Sequence, residues 1–263
     1  DNDEHPCGDG ECIPESDICN GWANCPNGSD EANCSLGNCL DLQSGANLVS
    51  LSSMPLNGLD DIPAECIYEI IGEGIGAAYI DFLGMWAGSL TELSCEDGYW
   101  LYNTCDDLLC YEGMECSDSI SYSLHTGTNL ISYPFLECGD IEEVLPDDVQ
   151  NCLHAISGEG MATMQTEFGW IGSLLSLCPD KGYWFINQCD NNIEFSFNEP
   201  TSLARISTFS ESPLPYNQSL QQAFYFIESV ENIDIGDWII AYNGDHIIGA
   251  RAWTGEIIDV PAM

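Results

Sequence analysis

The chain writes one stretch twice: Trp86-Ala-Gly-Ser-Leu90 running on to Gly98-Tyr99-Trp100, and Trp170-Ile-Gly-Ser-Leu174 running on to Gly182-Tyr183-Trp184. Both tryptophans shift by 84 positions. Upstream, Gly72-Glu-Gly74 returns as Gly158-Glu-Gly160 at an offset of 86, and Asn47-Leu-Val-Ser50 as Asn129-Leu-Ile-Ser132 at an offset of 82, so short insertions separate the blocks. The pattern is a tandem duplication of a unit of roughly eighty residues. Repeats of this kind build arrays or extended surfaces, which moves the expectation away from a single-pocket enzyme.

Each copy opens on an alternating apolar stretch, Asn47-Leu-Val-Ser-Leu51 and Asn129-Leu-Ile-Ser-Tyr133, whose period of two predicts a half-buried strand. A second strand is expected after each Gly-Glu-Gly. A third is expected in the aromatic-rich Tyr99-Trp-Leu-Tyr102 and Tyr183-Trp-Phe-Ile186. Between the first two strands, residues 62–70 and 144–153 each carry a proline near which a short helix is expected to begin. Cys66 aligns with Cys152 and Cys105 with Cys189, while Cys95 and Cys178 miss by one position. A disulfide framework was therefore duplicated too, although the connectivity of the ten cysteines from Cys39 to Cys189 stays open.

Composition narrows the classes. The 263 residues have room for several small domains, and 44% hydrophobic residues is enough for ordinary cores. Forty-four acidic residues face three basic ones, Lys181, Arg205 and Arg251, for a formal charge of −41. Nucleic acid and anionic membrane are excluded as partners by repulsion on that scale. Saline surroundings or bound divalent cations would screen it. Fifteen cysteines without zinc-like spacing indicate disulfides and an oxidising, extracellular compartment, with one thiol left over. No run approaches the length of a membrane span, so no membrane insertion is expected. The start at Asp1, without a signal peptide, reads as a processed or trimmed secreted product.

Residues 7–34 hold five cysteines, an Ile13-Pro14 after the second, and the acidic close Gly28-Ser-Asp-Glu31. So few apolar residues require cross-links or metal. This spacing resembles the low-density-lipoprotein receptor class A module. The resemblance implies a Ca²⁺ cage of side chains from Asn20, Asn24, Asp30 and Glu31 with the backbone carbonyls of Asp17 and Trp22, all oxygen donors of the kind calcium takes. Asn20 and Asn24 stand where the family has Asp, so weaker calcium binding is expected. The family's lysine-docking residues are replaced as well. The resemblance also implies pairing of Cys7 with Cys25 and of Cys19 with Cys34. That leaves Cys12, whose family partner would lie upstream, as the odd thiol: its partner was trimmed, lies elsewhere in the chain, or belongs to a neighbouring molecule. The duplicated unit resembles repeats of large secreted and surface-attached bacterial proteins, which implies a non-enzymatic surface role.

Composition shifts again near residue 199. Ala223-Phe-Tyr-Phe-Ile227 reads as a strand, and Trp238–Tyr242, Asn243-Gly244 and His246–Ala250 as a hairpin with a type I′ turn. An antiparallel sandwich begins here, and its sixty-five or so residues predict that strands are missing, to be supplied by a continuation or by another molecule.

Histidines 5, 125, 154 and 246 are scattered, and no nucleophile elbow or phosphate loop is present, so no enzyme is expected. Carboxylate pairs, as in glycoside hydrolysis, are too abundant among 44 acids to carry a signal. Asn27, Asn33 and Asn217 sit in glycan-acceptor sequons. The expectation is a mainly β, multidomain chain: a disulfide-rich calcium module (1–35), β-rich repeats (36–113 and 114–198) and a partial β-sandwich (199–263). Its expected role is a self-associating structural or adhesive component of a cell surface or extracellular fibre. The alternative is glycan or protein recognition, with Trp86, Trp100, Trp170 or Trp184 stacking on sugar rings.

Overall fold

A computed structural model describes residues 4–7, 12–14, 25, 38–117, 119–201, 214 and 216–263. The chain is mainly β. Near the N-terminus, β1 (Glu4–Pro6) pairs antiparallel with β2 (Cys12–Pro14). The first repeat comprises β3 (Asn38–Leu42), β4 (Gly45–Ser50), β5 (Ser53–Pro55), β6 (Ile67–Ile71), β7 (Gly76–Ile80), β8 (Met85–Gly88), β9 (Gly98–Asn103), β10 (Asp107–Tyr111) and β11 (Gly113–Glu115). The second comprises β12 (Tyr122–Leu124), β13 (Gly127–Ile131), β14 (Gly139–Asp140), helices α1 (Ile141–Val144) and α2 (Asp147–Gln150), β15 (Leu153–Gly158), β16 (Met161–Thr166), β17 (Gly169–Gly172), β18 (Ser176–Leu177), β19 (Tyr183–Asn187) and β20 (Ile193–Phe195).

Each repeat is built on a five-stranded antiparallel sheet, ordered β4-β9-β6-β7-β8 in the first and β13-β19-β15-β16-β17 in the second. The copies agree to the register: Leu48 faces Trp100 as Leu130 faces Trp184. They also share a bulge, between Ile67 and Glu69 and between Leu153 and Ala155. The repeated motifs explain this agreement locally. Asn47 accepts the Gln43 N–H at 2.8 Å and donates to the Gln43 carbonyl at 2.8 Å; Asn129 does the same with His125 at 2.8 and 2.9 Å. Each asparagine thus closes the turn into its strand. In Trp-x-Gly-Ser-Leu, the tryptophan and leucine are buried, and the glycine lets the strand pass a backbone carbonyl, Gly76 O against Gly88 and Ala162 O against Gly172, where a Cβ would clash.

Two expectations are corrected here. β4 is buried along its length, not on one face only. Val49 and Leu51 enter the core of their own repeat, while Ala46 and Leu48 join Trp100 and Leu130 in a separate core between the repeats. In the first repeat the second half of the predicted helical stretch is instead a strand, β6, that sits at the centre of its sheet. In the second repeat α2 does begin just after Pro146; the first repeat has only a 3-10 turn, Gly58–Asp61, before its proline.

Five disulfides join the cysteines from Cys39 to Cys189. Cys66–Cys105 and Cys152–Cys189 are counterparts, as the alignment of the copies implied. Cys39–Cys110, Cys95–Cys116 and Cys138–Cys178 have no counterpart in the other copy.

The C-terminal region forms two ladders, β21 (Ala223–Ile227) with β24 (Ile258–Ala262) and β22 (Trp238–Asn243) with β23 (His246–Ala252). Gly249 of β23 lies against the Pro261 carbonyl of β24, too close for any side chain. The hairpin stands where expected, but its turn differs: Gly244 alone has positive φ, +62°, so Gly244-Asp245 are the central residues in the manner of type II′.

Candidate functional site

The repeats do not stack as an array. They meet through a reciprocal seam whose principal backbone and carboxylate contacts recur in both directions. Val49 bridges to Lys181, and Ile131 to Asp97. Ser50 N–H donates to the Asp180 carbonyl at 3.2 Å, and Ser132 N–H to the Glu96 carbonyl at 3.0 Å. The duplicated Gly-Glu-Gly supplies the clamps: Glu159 accepts the Leu48 N–H at 3.2 Å, and Glu73 accepts the Leu130 N–H at 2.9 Å. This is the self-complementary geometry of a two-fold interface, held within one chain. Gly98 and Gly182 face each other across it, and a Cβ on either would meet the opposite copy at 2.7–3.1 Å.

The two clamps differ electrostatically. Glu73 also meets His125 Nε2 at 2.5 Å, and the imidazole pKa is raised, first by the Thr126 carbonyl and then by Glu73. Glu159 is half-buried, and the loss of water around it raises its carboxyl pKa, while Lys181 and the Leu48 N–H oppose the rise. A fully buried carboxylate fastens the C-terminal region to the second repeat. Asp259 accepts from Ala162 N–H (3.1 Å), Ser173 N–H (2.6 Å), Ser173 Oγ (2.8 Å) and Arg251 Nη2 (3.1 Å). Burial pushes its pKa up, and Arg251 acts against that. Arg251 also donates to the Gly160 carbonyl. Both basic residues among the described ones, Lys181 and Arg251, thus lie beside half-buried or buried acids, in a chain with a charge of −41. Sequence reasoning missed both roles. The recurrence of Glu73 and Glu159 between glycines was the available signal for the clamps; Asp259 carried none.

Three of the four tryptophans proposed as a sugar platform are core residues: Trp86, Trp100 and Trp170 are 8%, 3% and 9% exposed. Trp170 donates its indole N–H to Gln150 at 3.0 Å, and Trp86 packs edge-on against Tyr79. Trp184 is half-buried and lines a groove of about 780 Å³ between the second sheet and β21. A different pair of aromatics stands out. Phe82 and Phe168 occupy corresponding turns, β7–β8 and β16–β17, and are 86% and 85% exposed.

Of the residues implied by the class A resemblance, Cys7 and Cys25 form a disulfide with Cα atoms 5.4 Å apart, and both are buried. Asp17, Asn20, Trp22, Asn24, Asp30, Glu31, Cys19 and Cys34, the side chain of Cys12, and the sequon residues Asn27 and Asn33 lie outside the described residues. Asn217 is exposed. Among the described residues no group of three or more His, Cys, Asp or Glu side chains is placed to hold a metal ion.

Comparison with known families bears on the N-terminus. Residues 1–34 match the low-density lipoprotein receptor domain class A. Class A modules are non-catalytic binding domains and typically bind calcium. The donor set here, two carboxylates, two amides and two carbonyls, is all oxygen and fits such a hard cation. With the many disulfides, the module indicates an extracellular protein. Among the described residues no helix is long and apolar enough to cross a membrane. No curated protein and no solved structure matches the chain.

Proposed function

We propose that this protein is a non-enzymatic structural and adhesive component of a cell surface or extracellular fibre, stabilised by disulfides and by calcium in the class A module. The observation that carries this reading is the pair Phe82 and Phe168. Exposing a phenylalanine to water is unfavourable, yet both copies keep one on the same hairpin tip, beside Leu83 and Met85 in the first. A tip of this kind gains by entering an apolar pocket of another molecule. The reciprocal seam is closed and propagates nothing, so contacts to other molecules fall to surfaces such as these tips, the class A module and Cys12.

The test is light scattering and negative-stain microscopy of the full chain with calcium, with chelator and after reduction, beside Phe82→Ser/Phe168→Ser. Assembly is expected with calcium and loss of it in the double variant. Monomers under every condition would overturn the fibre. Of the four tryptophans proposed for glycan recognition Trp184 stays accessible, and a glycan array with hits abolished by Trp184→Ala would favour that reading instead.

A further inference from the structure

We propose that the groove beneath β21 binds a neutral, largely apolar small molecule carrying an acceptor oxygen. The inference stands apart from the fibre reading. The volume of about 780 Å³ lies within the range of roughly 300–1,000 Å³ usual for small-molecule sites, and the position, where three parts of the chain meet, is a common one for them. Met164, Trp184 and Ile186 of the second sheet form one wall; Leu220, Phe224 and Phe226 form the other.

Thr128, His154, Ser157 and Gln221 add polar groups to this lining, and two further donors in it lack a partner. Trp100 Nε1, contributed across the seam by the first repeat, is buried without a hydrogen-bond partner, and so is Gln222 Nε2. Gln222 Oε1 accepts the Gly160 N–H at 3.4 Å, which leaves the amide nitrogen as the free end. Buried donors without partners are uncommon in native proteins, and two in one groove point to an acceptor supplied from outside. Among the described residues no carboxylate, lysine or arginine lines the groove, so neither a cation nor an anion is compensated by them, and the charge of −41 repels anions in addition.

The duplication supplies an internal control. The counterparts of His154 and Ile186 in the first repeat are Tyr68 and Tyr102, whose rings pack edge-on at 5.1 Å over the corresponding part of the sheet. Only the second repeat has given up that aromatic pair for open space roofed by the C-terminal region.

The test is titration of the full chain with Nile red, a neutral planar dye with a ring carbonyl, in the Phe82→Ser/Phe168→Ser background so that the exposed tips do not contribute. Saturable one-site binding with a blue-shifted emission is expected. Ala155→Trp, filling the groove, lowers affinity more than tenfold, and Gln222→Ala lowers it about threefold to tenfold, the loss of one hydrogen bond. Thr128→Trp at the exposed rim serves if Ala155→Trp does not fold. An anionic naphthalene sulfonate dye binds at least tenfold more weakly. Absence of saturable binding, which is the result for a groove holding only water, or binding indifferent to both tryptophan variants, would overturn the proposal.

Discussion

The two repeats share register, bulge, asparagine turn, glycine crossing and clamp, yet they carry different loads. The first holds its outer strands β3 and β10 together with Cys39–Cys110, where the second has Ser121 and Ser196. The second instead carries the C-terminal region, fastened by Asp259 at Ala162 and Ser173; at the matching place in the first, Ser89 Oγ accepts the N–H of Gly76 from its own sheet. Duplication preserved what builds the sheet and the seam, and divergence fell on the surfaces facing elsewhere. Positions kept in both copies therefore serve folding, with Phe82 and Phe168 as the exception that burial does not explain.

The largest effect that separates the copies is expected from Asp259→Ala. It leaves the Arg251 guanidinium buried without its carboxylate, a loss of about 3–5 kcal/mol for a buried pair. Hydrogen exchange on the full chain should show protection lost in β16, β17 and β21 to β24 and retained in β7 and β8. Equal loss in both sheets would break the contrast.

Gly98→Ala and Gly182→Ala test the opposite claim, that the seam is reciprocal. Each added methyl presses on the other copy, on Gly182 Cα at 3.1 Å or on Val49 O at 2.7 Å, and each is expected to cost about 1–3 kcal/mol by urea unfolding. If one variant is silent, the seam is not two-fold in its energetics.

The smallest effect is the pH dependence of the clamp that holds His125. Because the folded-state pKa of His125 is raised, its contribution is full below the unfolded value near 6.5 and is lost as pH rises through the higher folded value. Between pH 5.5 and 8.5, wild type should lose about 1–2 °C of melting temperature relative to His125→Gln. Groups common to both proteins, the Glu159 clamp among them, cancel in this difference. An unchanged difference between the two proteins would remove His125 from the account.

Much of the strand pattern was legible because it rests on local signals: alternation at Asn47–Leu51, aromatic runs at Tyr99 and Tyr183, and Gly244 at a hairpin tip. β6 was not, since the proline and acid before it read as a helix start, nor was β15, which follows a true helix; the strand character of both comes from pairing on both sides. The seam was hidden in plain alternation. Period two says that a strand has two faces and is silent on whether the second meets water or another sheet, so the burial of Leu48 and Leu130 between the repeats could not be read from it. For the candidate sites, tryptophan drew attention by its chemistry, while burial decided against three of the four; the exposed phenylalanines were visible only once the turns had coordinates.

The seam also has a bearing on ancestry. A face on which Glu73 reaches for Leu130 while Glu159 reaches for Leu48 is what a single ancestral chain of one repeat would present to its own twin. Tandem duplication of such a chain joins the two halves of that dimer by a segment like the one around residues 112–121. Once they shared a backbone, the subunits were free to specialise, one keeping its extra cross-link and the other acquiring a passenger at its edge.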